Sequence, residues 1–188
     1  MVQKHSSKTK KRKRFLLNLA VLLVIVTVLG FSGFAMSQDS GRGLTENEKS
    51  NLENFDDLDF NVYSNQKWDE LGRSHAQDII VHWPDGRITT GIDPHIDDLN
   101  KIFVFAPDTR IREHSIRIAS GKWTAVMGAM EGTFTKPMPI ANGKTIAPTG
   151  KAFKVSMVTI GRWEGRTMAE EWLFWDNQSF MKQIGLAE

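Results

Sequence analysis

The chain has 188 residues with 24 Lys and Arg, 22 Asp and Glu, and no cysteine. Seven basic residues and no acidic residue lie in residues 1–35, so the remainder carries 17 basic against 22 acidic side chains, a net charge of −5. A mildly acidic domain without a basic stripe does not favour a phosphate backbone, and we expect no nucleic-acid partner. The lack of cysteine excludes disulfides, thiolate zinc sites and cysteine nucleophiles.

The N-terminal segment has a membrane-targeting pattern. Residues 1–14 end in a dense basic cluster, and residues 15–35 are uncharged and mostly apolar. Such a run is long enough to span a membrane as a helix, and the basic flank is expected to stay cytoplasmic. We therefore predict an N-terminal hydrophobic helix that is either a retained transmembrane anchor or a cleaved signal segment. In both cases the C-terminal domain lies outside the cytoplasm, membrane-anchored or exported, after a linker over residues 36–44.

The predicted domain covers residues 45–188 and begins with helices. Thr45 and Glu48 have the spacing of a capping box, and apolar residues recur at helical spacing behind them. This pattern predicts an amphipathic helix over residues 45–60 and a second, short helix over residues 67–75.

The remaining elements are mainly strands. A brief strand over residues 79–83 and a helix from Pro94 come first. Four long strands follow, over residues 110–119, 123–135, 150–163 and 166–176, and a last helix covers residues 177–184. Helices followed by long antiparallel strands indicate an α+β domain in which helices cover one face of a bent sheet.

Two polar side chains stand out on these strands. Alternate residues of a strand point to opposite faces, so Trp172 and Phe174 share one face with Asp176. On the first long strand His114 alternates with Ile116 and Ile118, which predicts that the His114 face points inward. A lone carboxylate and a lone histidine are thereby each placed on an apolar face.

Four segments carry a resemblance to a known family: DIIVHWPDGRITTG, EHSIRIASGKWTAVMGAMEGTF, APTGKAFKVSMVTIGRWEGRTMAEEW and WDNQSFMKQIG. Over residues 45–187 the chain resembles the SnoaL-like polyketide cyclases. The resemblance implies a cone-shaped α+β barrel, as in nuclear transport factor 2 and ketosteroid isomerase, with a strongly curved antiparallel sheet wrapped on the N-terminal helices around an apolar pocket. It also implies a hydrophobic, carbonyl-bearing, polyketide-like small molecule as partner and an intramolecular aldol cyclisation that uses no metal and no organic cofactor.

In the resembled family an aspartate serves as acid and base, and Asp176 is the position that matches best. Apolar walls raise the pKa of a carboxyl group by desolvation, and Trp172 and Phe174 are expected to form such walls. The alternative is that Asp176 only caps the last helix. His114 is the second catalytic candidate, with a hydrogen-bonded core histidine as its alternative, while the pocket is expected to include His82, Trp83 and Trp123 as well.

Metal and assembly hypotheses complete the sequence interpretation. His82, His95 and His114 match no compact ligand motif, and His95 is expected at the rim or in solvent, so no metal site is predicted. The rival to an enzyme is a non-catalytic domain of the same fold that binds a small molecule or forms a homo-oligomer through its sheet.

Overall fold

The computed structural model describes residues 43–188. In chain order its elements are α1 (Glu46–Asp57), a π-helical extension of α1 (Leu58–Tyr63), a 3₁₀ segment (Trp68–Arg73), β1 (His75–His82), β2 (Ile88–Thr90), α2 (Ile92–Phe105), β3 (Arg110–Ser120), β4 (Trp123–Thr133), β5 (Met138–Pro139), a second 3₁₀ segment (Ala141–Gly143), β6 (Thr145–Ile146), β7 (Ala152–Glu164), β8 (Thr167–Trp175) and α3 (Asn177–Gln183).

The α+β class is confirmed, but the sheet differs from the predicted barrel in two respects. Its strand order is β2-β1-β8-β7-β4-β3, and β2 and β3 are not paired with each other, so the sheet is open. It is also mixed, because β1 runs parallel to β8 while the other neighbours are antiparallel. The first strand is therefore inserted next to the last one, a pairing between distant parts of the chain that local hydrophobic patterns do not reveal.

The start of α1 follows from the predicted capping box, which is confirmed. Thr45 Oγ1 accepts a hydrogen bond from the Glu48 amide at 3.3 Å, and the Glu48 carboxylate accepts from the Thr45 amide at 2.7 Å. The other Glu48 oxygen accepts from the Gly121 amide at 2.7 Å, which ties α1 to the turn between β3 and β4. Caps of this kind contribute about 1 kcal/mol, and this one also fixes where α1 lies on the sheet.

The core lies between one face of the sheet and the helices. Phe55 of α1 packs edge-on against Trp163 of β7, with ring centres 6.3 Å apart, and both residues are almost completely buried. The indole nitrogen of Trp163 donates to Thr124 Oγ1 at 2.8 Å, so its one polar atom is satisfied in the core. The opposite face of the sheet carries exposed apolar side chains, including Ile118, Trp123 and Phe174. The predicted homo-oligomer through the sheet stays a prediction.

Several element boundaries differ from the sequence interpretation. Helix α2 begins at Ile92 rather than at Pro94, because Gly91, with φ of 101°, turns the chain into it and proline is tolerated in the first turn. The short strand β2 and the hairpin of β5 and β6 were not predicted, since each is only two or three residues long.

The predicted hydrophobic helix over residues 15–35, with its flank and most of its linker, lies outside the described residues. Within residues 43–188 no helix combines the length and hydropathy needed to cross a membrane.

Candidate active site

A cavity of about 260 Å³ lies between the core face of the sheet and the helices. The π-helical extension, α2, α3 and five strands contribute to its wall, which is mostly apolar and includes Leu58, Leu99, Phe105, Met130, Met157 and Leu173. Four buried side chains with a carboxyl or imidazole group interrupt this wall: Asp59, His75, His95 and Glu171. An apolar cavity with a few convergent polar groups is the usual form of a small-molecule site.

One side of the cavity is bordered by charged side chains. The Arg87 guanidinium lies 5.4 Å from the centre of the Trp83 ring and 3.2 Å from the Asp98 carboxylate, which also pairs with Lys101. Trp83 lies in the cavity wall, where the sequence interpretation expected it. Its indole nitrogen donates to Thr89 Oγ1 at 2.9 Å, which fixes the orientation of the ring.

The first polar group of the cavity is Asp59, which is bonded to His114. His114 Nε2 donates to Asp59 Oδ2 at 2.7 Å, and His114 Nδ1 donates to Asp56 Oδ1 at 2.8 Å. Asp56 in turn pairs with Arg117 at 2.8 Å. Carboxylates accept but do not donate, so this arrangement requires both imidazole nitrogens to carry a proton. A chain of charged hydrogen bonds thus leads from the cavity wall to the protein surface.

The pKa directions agree with this arrangement. Burial raises the pKa of the Asp59 carboxyl, and the hydrogen bond and charge of His114 only partly offset it, so the pKa is raised overall. Burial lowers the pKa of His114, but the bonds to Asp59 and Asp56 outweigh it, and this pKa is raised as well. A carboxylate with a raised pKa beside a protonated imidazole is suited to accepting a proton and returning it.

Local backbone features place this pair. Asp59 belongs to the π-helical turn that extends α1, and such turns are often found at functional sites. On β3 the strand register shifts on both sides of His114, and Gly128 on β4 lies opposite the ring. A methyl group at Gly128 would be only 3.2 Å from His114 Cδ2, so glycine makes room for the imidazole. These register shifts also explain why His114 is buried while Ile116 and Ile118 are exposed, contrary to the predicted common inward face.

The second polar group consists of His75, His95 and Glu171. The Glu171 Oε2 atom lies 3.5 Å from His95 Nε2 and 3.8 Å from His75 Nε2, and all three side chains are at most 5 % exposed. The two imidazole rings lie 5.1 Å apart between centres. The three residues belong to β1, α2 and β8. They are far apart in the sequence, so only folding brings them together.

Burial acts differently on these groups. It lowers the pKa of His95 to about 4, which makes this imidazole neutral near neutral pH. Burial raises the pKa of the Glu171 carboxyl, but the neighbouring imidazoles of His75 and His95 outweigh this effect, so the pKa is lowered overall and the group is ionised. His95 is thus a buried cavity residue, and its expected place at the rim or in solvent is wrong.

The predicted pocket face of β8 is the wrong one. Glu171 and Leu173 face the cavity, whereas Trp172 and Phe174 lie on the outer face of the sheet. His82 stacks on Trp172 with ring centres 4.7 Å apart and is bonded to Glu170 at 2.8 Å, and the ring of Trp123 also contacts Trp172, with ring centres 5.6 Å apart. Three predicted pocket residues, His82, Trp123 and Trp172, therefore form an outer aromatic cluster, and a fourth, Phe174, is exposed on the same face of the sheet instead of lining the cavity.

Asp176 caps helix α3, which is the alternative role that the sequence analysis gave for it. It is exposed, and its Oδ1 atom accepts from the Ser179 amide at 3.0 Å at the start of α3. Neither Trp172 nor Phe174 desolvates it in the cavity, which the Asp176 side chain does not line. The predicted catalytic carboxylate is thus a helix cap, while His114 is joined to a different carboxylate, Asp59.

Sequence reasoning missed the carboxylates and histidines that line the cavity. Asp59 directly follows the acidic end of α1, where alternating acidic and apolar residues predict a solvated face. Glu171 is preceded by a second glutamate, Glu170, so the sequence does not show which of the two faces the cavity. His75 lies at the end of a predicted helix but begins β1. A weak signal existed in the spacing of Asp56 and Asp59, which lie three residues apart and therefore on one helix face.

Comparison with known proteins identifies the family. The profile of SnoaL-like polyketide cyclases matches residues 55–184. The chain belongs to this family. The resemblance inferred from the sequence is thereby confirmed, although no functionally curated protein shows significant sequence similarity to the chain.

Solved structures support the same fold at low sequence identity. A candidate SnoaL-like polyketide cyclase from Jannaschia sp. CCS1 has a TM-score of 0.67 at 18% identity, covering 79% of this chain and 100% of that one. IdmH, a candidate polyketide cyclase from Streptomyces antibioticus, has a TM-score of 0.62 at 18% identity, covering 72% and 98%. A protein with a ketosteroid isomerase-like fold from Catenulispora acidiphila, in complex with trimethylamine, has a TM-score of 0.58 at 15% identity, covering 71% and 93%. At these identities the likeness shows the fold alone.

Proposed function

We propose that this SnoaL-like domain acts on a hydrophobic, carbonyl-bearing, polyketide-like small molecule by acid/base catalysis in the cavity. The observation that supports this most directly is a buried carboxylate, Asp59, that lines an apolar cavity and is hydrogen-bonded to His114. Several structural relatives are named as candidate polyketide cyclases, and these names support the same class of substrate. A cavity of about 260 Å³ suits a ligand of one or two rings.

The proposed reaction is an enolisation followed by an intramolecular aldol addition. Asp59 takes the proton from a carbon beside a carbonyl group, and the electron pair of that C–H bond forms an enolate. The enolate carbon then attacks a second carbonyl of the same molecule, and the new alkoxide takes the proton back from Asp59. One group with a raised pKa can therefore serve both steps, and the reaction needs no organic cofactor. His114 holds the Asp59 carboxylate in place and balances its charge.

Hydrogen–deuterium exchange tests Asp59 as the base. The full chain is incubated with a panel of aromatic β-keto esters in deuterated water, and loss of the acidic C–H signal is followed by NMR. We expect the wild-type protein to accelerate the exchange and Asp59→Asn to reduce the acceleration by about 10²–10⁴-fold, the usual contribution of a positioned acid or base. The amide introduced by this substitution keeps the shape of the side chain and an oxygen that can accept from His114.

Asp176→Asn is the matched control for this experiment. It changes an equally small carboxylate that caps α3 outside the cavity, so we expect exchange at the wild-type rate. Loss of activity in Asp176→Asn with retention in Asp59→Asn would reverse the assignment. Acceleration by neither the wild type nor any variant across the panel would favour the rival of a non-catalytic binding domain.

We also propose that residues 15–35 hold the chain at a membrane or direct its export, with the domain outside the cytoplasm. The basic cluster before an uncharged segment of 21 residues supports this orientation. Protease added to intact cells with a permeabilised outer envelope is expected to digest the domain, while a cytoplasmic marker protein survives. Protection of the domain until the inner membrane is lysed would contradict the proposal, and the intact mass of the chain distinguishes an anchor from a cleaved signal.

A further inference from the structure

We propose that His75, His95 and Glu171 bind a divalent first-row transition-metal ion whose open coordination position faces the cavity. The binding site stands on its own geometry, and only the role of the ion rests on the proposed function. All three side chains line the cavity, and their candidate ligand atoms lie within 4.8 Å of one another. The sequence interpretation tested His82, His95 and His114 for a metal site and did not consider this set.

The distances fit a shared ion better than direct hydrogen bonds. Glu171 Oε2 lies 3.5 Å from His95 Nε2 and 3.8 Å from His75 Nε2. A hydrogen bond between a carboxylate and an imidazole nitrogen is about 2.7–3.0 Å long, so neither contact is one. Ligand atoms bound to one ion at about 2.1 Å with tetrahedral angles lie about 3.4 Å apart, which is close to the observed separations.

A hydrogen bond to Ser74 holds the ring of His75 in place. Ser74 Oγ lies 2.8 Å from His75 Nδ1 and also donates to the Leu71 carbonyl at 3.1 Å. Because Nδ1 is engaged in this way, Nε2 is the nitrogen that lies near Glu171, 3.8 Å from its Oε2 atom. An outer partner that holds the non-ligating nitrogen in this way is a regular feature of metal-binding histidines.

Buried polar atoms without partners supply an independent observation. Among the described residues, His75 Nε2, His95 Nδ1 and Glu171 Oε2 are buried and have no hydrogen-bond partner. A buried polar atom that stays unsatisfied destabilises the folded chain. His75 Nε2 and Glu171 Oε2 lie 3.8 Å apart, and one cation between them would give both atoms a partner. The contrast is His114, whose two nitrogens both have carboxylate partners.

The ligand set indicates which ions fit. Two imidazoles and one carboxylate suit zinc or iron(II) and leave at least one position for water or substrate, whereas magnesium and calcium prefer oxygen ligands alone. An ion here would polarise the carbonyl oxygen of the substrate while Asp59 removes the neighbouring proton, since both groups line one cavity. The role of Asp59 as the base is unchanged by this addition.

The experiment measures metal binding and needs no turnover. The full chain, purified without a polyhistidine tag, is stripped with EDTA and titrated with Zn²⁺, and bound zinc is counted by elemental mass spectrometry alongside the melting temperature. We expect about one tightly bound Zn²⁺ per chain and, at 100 times the Kd, an increase of roughly 5–10 °C in melting temperature. Glu171→Gln and His95→Gln are expected to weaken binding by more than about 100-fold, and Ser74→Ala by about 10–100-fold.

His82→Gln is the matched control. His82 and Glu170 form a histidine–carboxylate pair on the same two strands as His75 and Glu171, but on the outer face. This variant is expected to bind zinc like the wild type. If Glu171→Gln fails to fold, Ser74→Ala still tests the site. Ser74 is not a ligand, so a change in zinc affinity in this variant would not arise from adventitious surface binding.

The outcomes separate this inference from the proposed function. No tight zinc, or the same affinity in the wild type, Glu171→Gln and Ser74→Ala, would overturn the metal site while leaving Asp59-dependent exchange untouched. Tight zinc that depends on Glu171 and Ser74 supports the site even if no β-keto ester in the panel exchanges. Exchange that needs Asp59 and stops on EDTA treatment supports both.

Discussion

Replacing His114 with leucine is expected to lower the free energy of unfolding by about 3–5 kcal/mol near neutral pH and to abolish Asp59-dependent exchange. The reason is that the change leaves the Asp59 carboxylate buried without its hydrogen-bond donor, and an uncompensated buried charge is costly. Denaturant unfolding of the wild type and the variant at one pH measures the difference.

The same experiment at several pH values checks the charge on His114. The groups that face this ring are Asp56, Asp59 and, through Asp56, Arg117. Because the folded-state pKa of His114 is raised above its unfolded value of about 6.5, its stabilising contribution is fully present below that pH and is lost as the pH rises through the folded-state pKa. The wild type should therefore lose stability with rising pH in this window, and His114→Leu should not show this component.

His82→Leu provides the control for both measurements. It removes a half-buried histidine that is also bonded to a carboxylate, Glu170, at 2.8 Å, but on the outer face of the sheet. Exposed pairs contribute about 0–1 kcal/mol, so the cost should be several-fold smaller than that of His114→Leu. Equal costs for the two variants, or a pH-dependent loss that persists in His114→Leu, would show that the Asp59–His114 pair is not the buried charged unit described above.

The sequence predicted most helices and strands because their patterns are local. The capping box of Thr45 and Glu48 and the apolar spacing of α1 identify that helix, and alternation within β4, β7 and β8 identifies the long strands. The parallel pairing of β1 with β8 could not be predicted in this way. It joins residues about ninety positions apart, and nothing in either strand's own pattern specifies its neighbour.

The candidate site was harder to predict because the deciding features are not periodic. Both faces of β8 carry apolar and acidic side chains, so alternation alone could not show that Glu171 faces inward and Glu170 outward. On β3 the register shifts around His114 break the period of two, and a count that crosses them assigns Ile116 to the wrong face. His114 was identified correctly as a buried polar group, but its partner Asp59 lies just after the run of acidic residues that ends α1, which the sequence interpretation assigned to a solvated face.

The inner and outer tryptophans of the sheet offer a direct test of which face forms the core. Trp163→Ala is expected to lower the free energy of unfolding by about 3–5 kcal/mol, because it removes a fully buried indole and leaves a cavity beside Phe55. It also leaves Thr124 Oγ1 without the 2.8 Å hydrogen bond from the indole nitrogen, which adds to the cost. Denaturant unfolding with an unchanged m-value would show that stability, and not the extent of the core, has changed.

Trp123→Ala is the matched substitution on the outer face, where the indole is 46% exposed and contacts Trp172 with ring centres 5.6 Å apart. Its expected cost is about 1 kcal/mol or less, since a half-exposed ring loses little burial and one aromatic contact. The sequence interpretation, in which Trp123 lines the pocket, requires the opposite: a large cost and impaired ligand binding. A loss of unfolding free energy for Trp123→Ala that equals or exceeds that of Trp163→Ala would mean that the cavity lies on the Trp123 face. That result would contradict the roles assigned to Asp59 and Glu171.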